Sequence, residues 1–223
     1  MSNFAVELSD KSPTMEWTEN IIIADGDYID SVAFNLTVNF ERMLGRRIPP
    51  ADMARWAECI ALDGGLRPEK KNPDDKDCQT SVDGSPLVQT TVAIVHAPGK
   101  TQLENFVPGV YAGELDGKAF SGNLGEFVFS TPTAEGLASS GALFLDIVQM
   151  ALDADGVKRI MIVPGEQDID AVRQLLRRAN DRSKTVTLFA MQPVAGGPFC
   201  QEILGYSLMA ALGVKSSELH PDL

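Results

Sequence analysis

Residues 157–179 read VKRIMIVPGEQDIDAVRQLLRRA, and this stretch decides the fold. Its first part, VKRIMIVP, is a short β-branched and apolar run with no alternation, the pattern of a strand buried on both faces. Pro164-Gly165 stops it. A helical segment follows at once, acidic in its first turn and basic in its last, as the helix dipole favours. A buried strand leading straight into an amphipathic helix is the repeating unit of a parallel sheet covered by helices.

The unit repeats on either side. Upstream, SSGALFLDIVQMALDAD (139–155) carries Leu143, Ile147, Met150 and Ala151 at helical spacing. Downstream, KTVTLFAM reads as the last strand and PFCQEILGYSLMAALG as the last helix. LVQTTVAIVHA (87–97) and GEFVFSTP are further strands, and Asn20–Ala24 is the first. Residues 31–45 fit both a strand alternation and a helical stripe of Val32, Leu36, Phe40 and Met43. Helix is the better reading, because Asp30 can cap it, ERML favours it and Gly45 ends it. Pro49-Pro50 opens a second helix, stopped by Asp63-Gly64-Gly65. VYAGELDGKAF is read as a hairpin turning at Asp116-Gly117.

The expected fold is therefore a three-layer α/β/α arrangement, Rossmann-like, with a mostly parallel sheet of about five strands. One domain spans residues 1–223, with an N-terminal arm (1–18), a polar loop (66–86) and a hairpin insertion (about 106–122).

Composition narrows the function. The chain has 223 residues, 44% of them hydrophobic and 22% charged, enough for a sizeable core. Three scattered cysteines and two distant histidines argue against a disulfide framework or a zinc cluster, and place the expected location in the cytoplasm. No secretory signal and no membrane-length apolar run is read from the sequence. The formal charge of −12 opposes broad nucleic-acid binding, which needs a basic footprint. Arg173 and Arg177, four residues apart, form the best local basic strip, followed by Arg42 and Arg46. Cys200 is read as a core thiol, His96 as a packed residue, and Trp56 and Tyr206 as core or interface residues.

Acids gather at two strand ends. IIIADGDYID (21–30) places Asp25, Asp27 and Asp30 where an apolar run stops, and PGEQDID places Glu166, Asp168 and Asp170 after another. Ligands of open parallel sheets bind beyond the carboxyl ends of strands. Carboxylates converging there repel one another unless a cation neutralises them, and all-oxygen sites suit Mg²⁺ or Mn²⁺. The same acids equally suit helix N-caps and first turns.

The motifs resemble the PIN-like superfamily, its NYN branch in particular. Asp25-Gly26-Asp27-Tyr28 stands where that family has Asp-Gly-x-Asn. SGALFLD aligns Asp146 with the second of two helical Asp, Ser140 falling at the first, and Pro164-Gly165-Glu166-Gln167-Asp168-Ile169 follows its Ser-Gly-Asp-x-Asp-Phe. The resemblance covers residues 20–63 and 125–212. It implies Asp25, Asp146 and Asp168 as catalytic residues, a Mg or Mn ion held by Asp25, Asp27, Glu166 and Asp168, and RNA or a nucleotide as partner, with Arg173 and Arg177 as substrate-binding residues. Tyr28 for Asn and Ser140 for Asp each remove a polar group, so the expected ribonuclease turnover is weak or absent. The alternative is a non-enzymatic interaction module, a homodimer formed through the C-terminal helix EILGYSLMAALG, whose apolar residues cover more than one face.

Overall fold

The computed structural model describes residues 17–68, 88–134, 139–179 and 183–219. β1 (Asn20–Asp25) runs directly into α1 (Gly26–Leu44). A two-residue strand, β2 (Ala51–Asp52), leads into α2 (Met53–Asp63). β3 (Gln89–Val95) follows, then the short β4 (Phe106–Val107), a π-helical turn at Tyr111–Leu115, β5 (Ala119–Gly122) and β6 (Gly125–Ser130). The second half alternates regularly: α3 (Ser140–Asp153), β7 (Arg159–Val163), α4 (Ile169–Ala179), β8 (Thr185–Ala190), β9 (Cys200–Ile203), α5 (Leu204–Ala211) and α6 (Ser216–Leu219).

Seven strands form one sheet in the order β5-β6-β3-β1-β7-β8-β9, and only β5 runs antiparallel. The six parallel strands, counted along the chain, stand in the order 3-2-1-4-5-6, that of the doubly wound Rossmann-like fold. The chain builds outward from β1 through β3 and β6, then returns across the sheet through α3 to β7. Strand order thus reverses between β1 and β7, which pair in parallel from Asn20–Arg159 to Ala24–Val163.

Two cores form because β1 is buried on both faces. Ile22 and Ala24 point to one side, with Trp56, Ile60, Phe127, Met161 and Leu208; Ile21 and Ile23 point to the other, with Phe144, Ile147, Ile160 and Leu176. The first face is covered by α1, α2 and α5, the second by α3 and α4. Burying both faces of a strand removes any polar-out alternation, the reason that strands of this kind read as unbroken apolar runs.

Several boundaries differ from the sequence reading. Helix α1 starts at Gly26, because the side chain of Asp25, not that of Asp30, accepts the first free amide, from Tyr28 at 3.0 Å. Pro49-Pro50 do not open α2. They lead into β2, which pairs with β4, and Asp52 caps the helix by accepting from Arg55 N. The hairpin turns at Gly122–Gly125 rather than Asp116-Gly117. The residues assigned to its first arm coil into the π turn, burying Tyr111 and Leu115, while Asp116 accepts from Thr131 N. The sheet gains β9, whose CQEI was read as helix, and Cys200 is exposed on this edge strand instead of buried. Met150 points outward, 51% exposed. The segments read as N-terminal arm and polar loop lie almost wholly outside the described residues, as does Cys78.

Candidate functional site

The crevice at the strand-order reversal is built from the ends of β1 and β7. One step past the last β1–β7 pair, Asp25 lies level with Pro164, and Pro164-Gly165 turns the chain into a 3-10 turn at Glu166–Asp168. One carboxylate oxygen of Asp25 caps α1. The other, Oδ2, faces Gly165 so closely that a Cβ added there would stand 2.6 Å from it. Burial raises the pKa of Asp25, the Tyr28 amide opposes the rise, and the charges of Asp27 and Asp168 add to it. Asp168 in turn packs against the first turn of α3, its oxygens 3.1 and 3.2 Å from where a Cβ on Gly141 would be, and it accepts from Gln167 Nε2 at 3.2 Å. Glu166 is exposed beside them.

The three acids of ADGDYID have separate roles. Asp27 is engaged on the β3 side, where Oδ2 accepts from Ala97 N at 3.0 Å and Oδ1 lies 2.9 Å from Lys100 Nζ. Asp30 lies within α1, 6% exposed, and accepts from Asn105 N at 2.8 Å and Asn105 Nδ2 at 3.2 Å. These two carboxylates pin the segment after β3 over one flank of the strand ends. Tyr111 completes that flank. Its ring stacks on His96, centroids 3.9 Å apart. Its enclosed hydroxyl lies against Gly26 and has no hydrogen-bond partner. Burial, then the charges of Asp27, Asp30 and Asp25, raise its pKa.

On the other flank stands Tyr28, from the first turn of α1. Its enclosed hydroxyl faces the Glu166 carboxylate. Its pKa is pushed up to about 12, first by burial and then by Glu166 and Asp25.

The structure thus brings Asp25, Asp27, Glu166 and Asp168 to one end of the sheet. Asp146 lies elsewhere, exposed in a groove between α3 and α4 beside Gln149, Gln174 and Arg178. Of the arginine pair, Arg173 binds Asp170 at 2.7 Å, while Arg177 is exposed and donates to the Gly196 carbonyl at 3.4 Å. The sequence reading missed Lys100, Asn105, Tyr111 and Gly141. Only Lys100 carried a signal, as a cation just past a strand end. Among the described residues, no three His, Cys, Asp or Glu side chains converge as a metal-holding group, and no helix among them is long and apolar enough to cross a membrane.

The chain belongs to a family of unknown function (DUF6621), which matches residues 14–219. No curated protein and no solved structure matches it.

Proposed function

We propose that the β1–β7 crevice binds an RNA phosphate through a Mg²⁺ or Mn²⁺ ion shared by Asp25 and Asp168, as a degenerate relative of PIN/NYN ribonucleases in which binding outweighs cleavage. The observation that carries this reading is Asp25 itself. It is a half-buried carboxylate at the strand-order reversal, with one oxygen spent on the helix cap and the other directed across to Gly165, under the added negative charge of Asp27 and Asp168. A cation relieves that crowding. Mg²⁺ keeps several waters and is commonly held by one or two carboxylates together with substrate phosphates, so two protein ligands suffice. The ion also supplies positive charge that Arg173, paired with Asp170, does not.

Weak turnover follows from Asp27. A second metal would need a further carboxylate ligand, and Asp27 already holds Lys100 and the Ala97 amide. The test is Mn²⁺ titration by electron paramagnetic resonance, with and without a short single-stranded RNA. Wild type takes up Mn²⁺, and RNA binding requires it. Asp25→Asn and Asp168→Asn abolish both, Asp146→Asn leaves both intact, and RNA cleavage is slow or absent. A wild type that binds no Mn²⁺ overturns the proposal.

A second reading rests on apolar exposure. Tyr206 stands on the outer face of α5, 68% exposed. Under this reading the chain self-associates through that face, over a narrower surface than the whole of α5, since Leu204, Leu208 and Ala211 are buried. Sedimentation velocity of wild type against Tyr206→Glu tests it, with the variant expected to be monomeric.

A further inference from the structure

We infer that the Tyr111 hydroxyl accepts a hydrogen bond from a water of the divalent cation at the sheet end, so that this site takes its ion partly hydrated. The inference rests on the cation site proposed above and names the residue that orders the ion's water on the β3 side.

Tyr111 is the first residue of the π-helical turn, a rare geometry that recurs at functional positions. Its place is fixed three times over. Its amide donates to the Thr101 carbonyl at 2.9 Å, and its ring stacks on His96. Glu114 ties down the turn by accepting from Gly109 N at 3.0 Å and Val110 N at 3.1 Å. His96 is itself buried, with Nδ1 3.1 Å from the Ala97 carbonyl, and the Ala97 amide donates to Asp27. Geometry thus delivers the hydroxyl to the acids. Its oxygen lies 3.0 Å from where a Cβ on Gly26 would be, and Gly26 is the residue between Asp25 and Asp27.

Packing alone does not account for a hydroxyl here. Tyr111 is 3% exposed, and its oxygen has no hydrogen-bond partner among the described residues. The stack on His96 needs only the ring, which phenylalanine supplies without burying a polar atom. An oxygen so enclosed reaches a ligand through a water rather than directly. Water on a divalent cation turns its oxygen to the metal and its protons outward, so its partners are acceptors, and a phenol oxygen is one. Burial, then the charges of Asp27, Asp30 and Asp25, hold the Tyr111 pKa above the usual tyrosine range. The phenol therefore stays neutral among the acids. One residue past Gly26, Asp27 Oδ1 is a second enclosed acceptor, without a hydrogen bond apart from its ion pair with Lys100. Asp25 and Asp168 supply fewer ligands than an octahedral Mg²⁺ takes, and water keeps positions that they leave. Tyr111 and Asp27 offer those waters acceptors on the β3 side.

Tyr111→Phe removes one oxygen and keeps the ring on His96. Mn²⁺ is the probe, titrated into the full chain by electron paramagnetic resonance. The variant is expected to bind Mn²⁺ about three- to tenfold more weakly than wild type, the lower end of what losing a group that orders a metal's surroundings costs. Its melting temperature without metal is expected to hold or rise, because an unpaired buried hydroxyl has been removed. Mn²⁺ affinity equal to or above that of wild type overturns the role of Tyr111 and leaves the cation site standing. A fall of several degrees in the metal-free melting temperature overturns it as well, by showing that the hydroxyl serves the fold. Failure of wild type to bind Mn²⁺ removes the cation site, and this inference with it.

Discussion

Gly165 and Asp25 approach each other across the β1–β7 boundary so closely that the glycine has no room for a side chain: a Cβ would stand 2.6 Å from Asp25 Oδ2 and 2.5 Å from Gln167 Nε2. The backbone of Gly165 is ordinary extended chain, φ −60°. Its need for glycine is thus spatial, set by the carboxylate beside it.

Gly165→Ala is therefore a probe of the crevice rather than of the backbone. The methyl must displace Asp25 Oδ2 or swing Gln167 away, and Asp25 is the more constrained of the two because its other oxygen caps α1. The expected result is loss of Mn²⁺ binding by tenfold or more, with a stability cost on the order of 1 kcal/mol, the usual size of modest overpacking. Mn²⁺ titration and urea unfolding of the same variant check both.

Asp25→Asn should stabilise the protein while removing its ligand. The folded pKa of Asp25 is raised, chiefly by burial, so the native state holds its proton more tightly than the unfolded chain. Stability owed to that proton is present below the ordinary carboxylate pKa and is lost as pH rises through the raised value. At neutral pH the ionised group is a net cost. Asparagine caps helices about as well as aspartate, so the Tyr28 amide keeps its partner. The melting temperature at pH 7 is expected to rise by about 2–4 °C, and the gain should vanish at pH 3, where wild-type Asp25 is protonated. A lower melting temperature at pH 7 contradicts the assignment.

The sheet and the acidic crevice were legible in the sequence for one reason: β1 and β7 are buried on both faces and so read as unbroken apolar runs ending in acids. Their adjacency was only conditional in the sequence, because alternation of strands and helices does not fix which strand pairs with β1; the parallel β1–β7 pairing supplies it. The individual roles of the acids were not legible. Asp27 and Asp30 find their partners at Ala97 and Asn105, 70 and 75 residues away, and no local pattern marks such a pairing. Strand β9 escaped because it is an edge strand of four residues, whose CQEI carries no apolar run and flows directly into α5. Asp146 is placed by its register in α3: six residues past the first helical position it has rotated into the groove toward α4, away from the strand ends that Gly141 touches.

Asp30→Ala should be the most damaging substitution among the acids. The carboxylate is buried in α1 and accepts both the backbone and the side-chain amide of Asn105, holding the segment that reaches β4. Alanine is a better helix former, but it strands the part-buried Asn105 backbone amide and leaves Asn105 Nδ2 only the backbone carbonyl of residue 30, at 3.3 Å. The expected loss is about 2–4 kcal/mol, read by urea unfolding. Asn105→Ala should lose less, because it leaves the Asn105 backbone amide on Asp30.

Lys100→Met should tighten the crevice's hold on a divalent cation. The Lys100 ammonium lies 2.9 Å from Asp27 Oδ1, with both side chains partly exposed, so the pair adds little to stability, of order 0–1 kcal/mol. Its electrostatic reach matters more. Asp27 acts on Asp25 through its charge, and Lys100 is the cation that offsets Asp27. Removing it leaves the strand end more negative by one full charge near the proposed ion. Methionine keeps most of the aliphatic stem and its packing. Mn²⁺ affinity is expected to increase about two- to fivefold at low ionic strength, the gain shrinking as salt screens the exposed charges. The folding midpoint in urea should stay within about 0.5 kcal/mol of wild type. Unchanged affinity at low salt would separate Asp27 from the cation site and leave Asp25 and Asp168 to hold the ion alone.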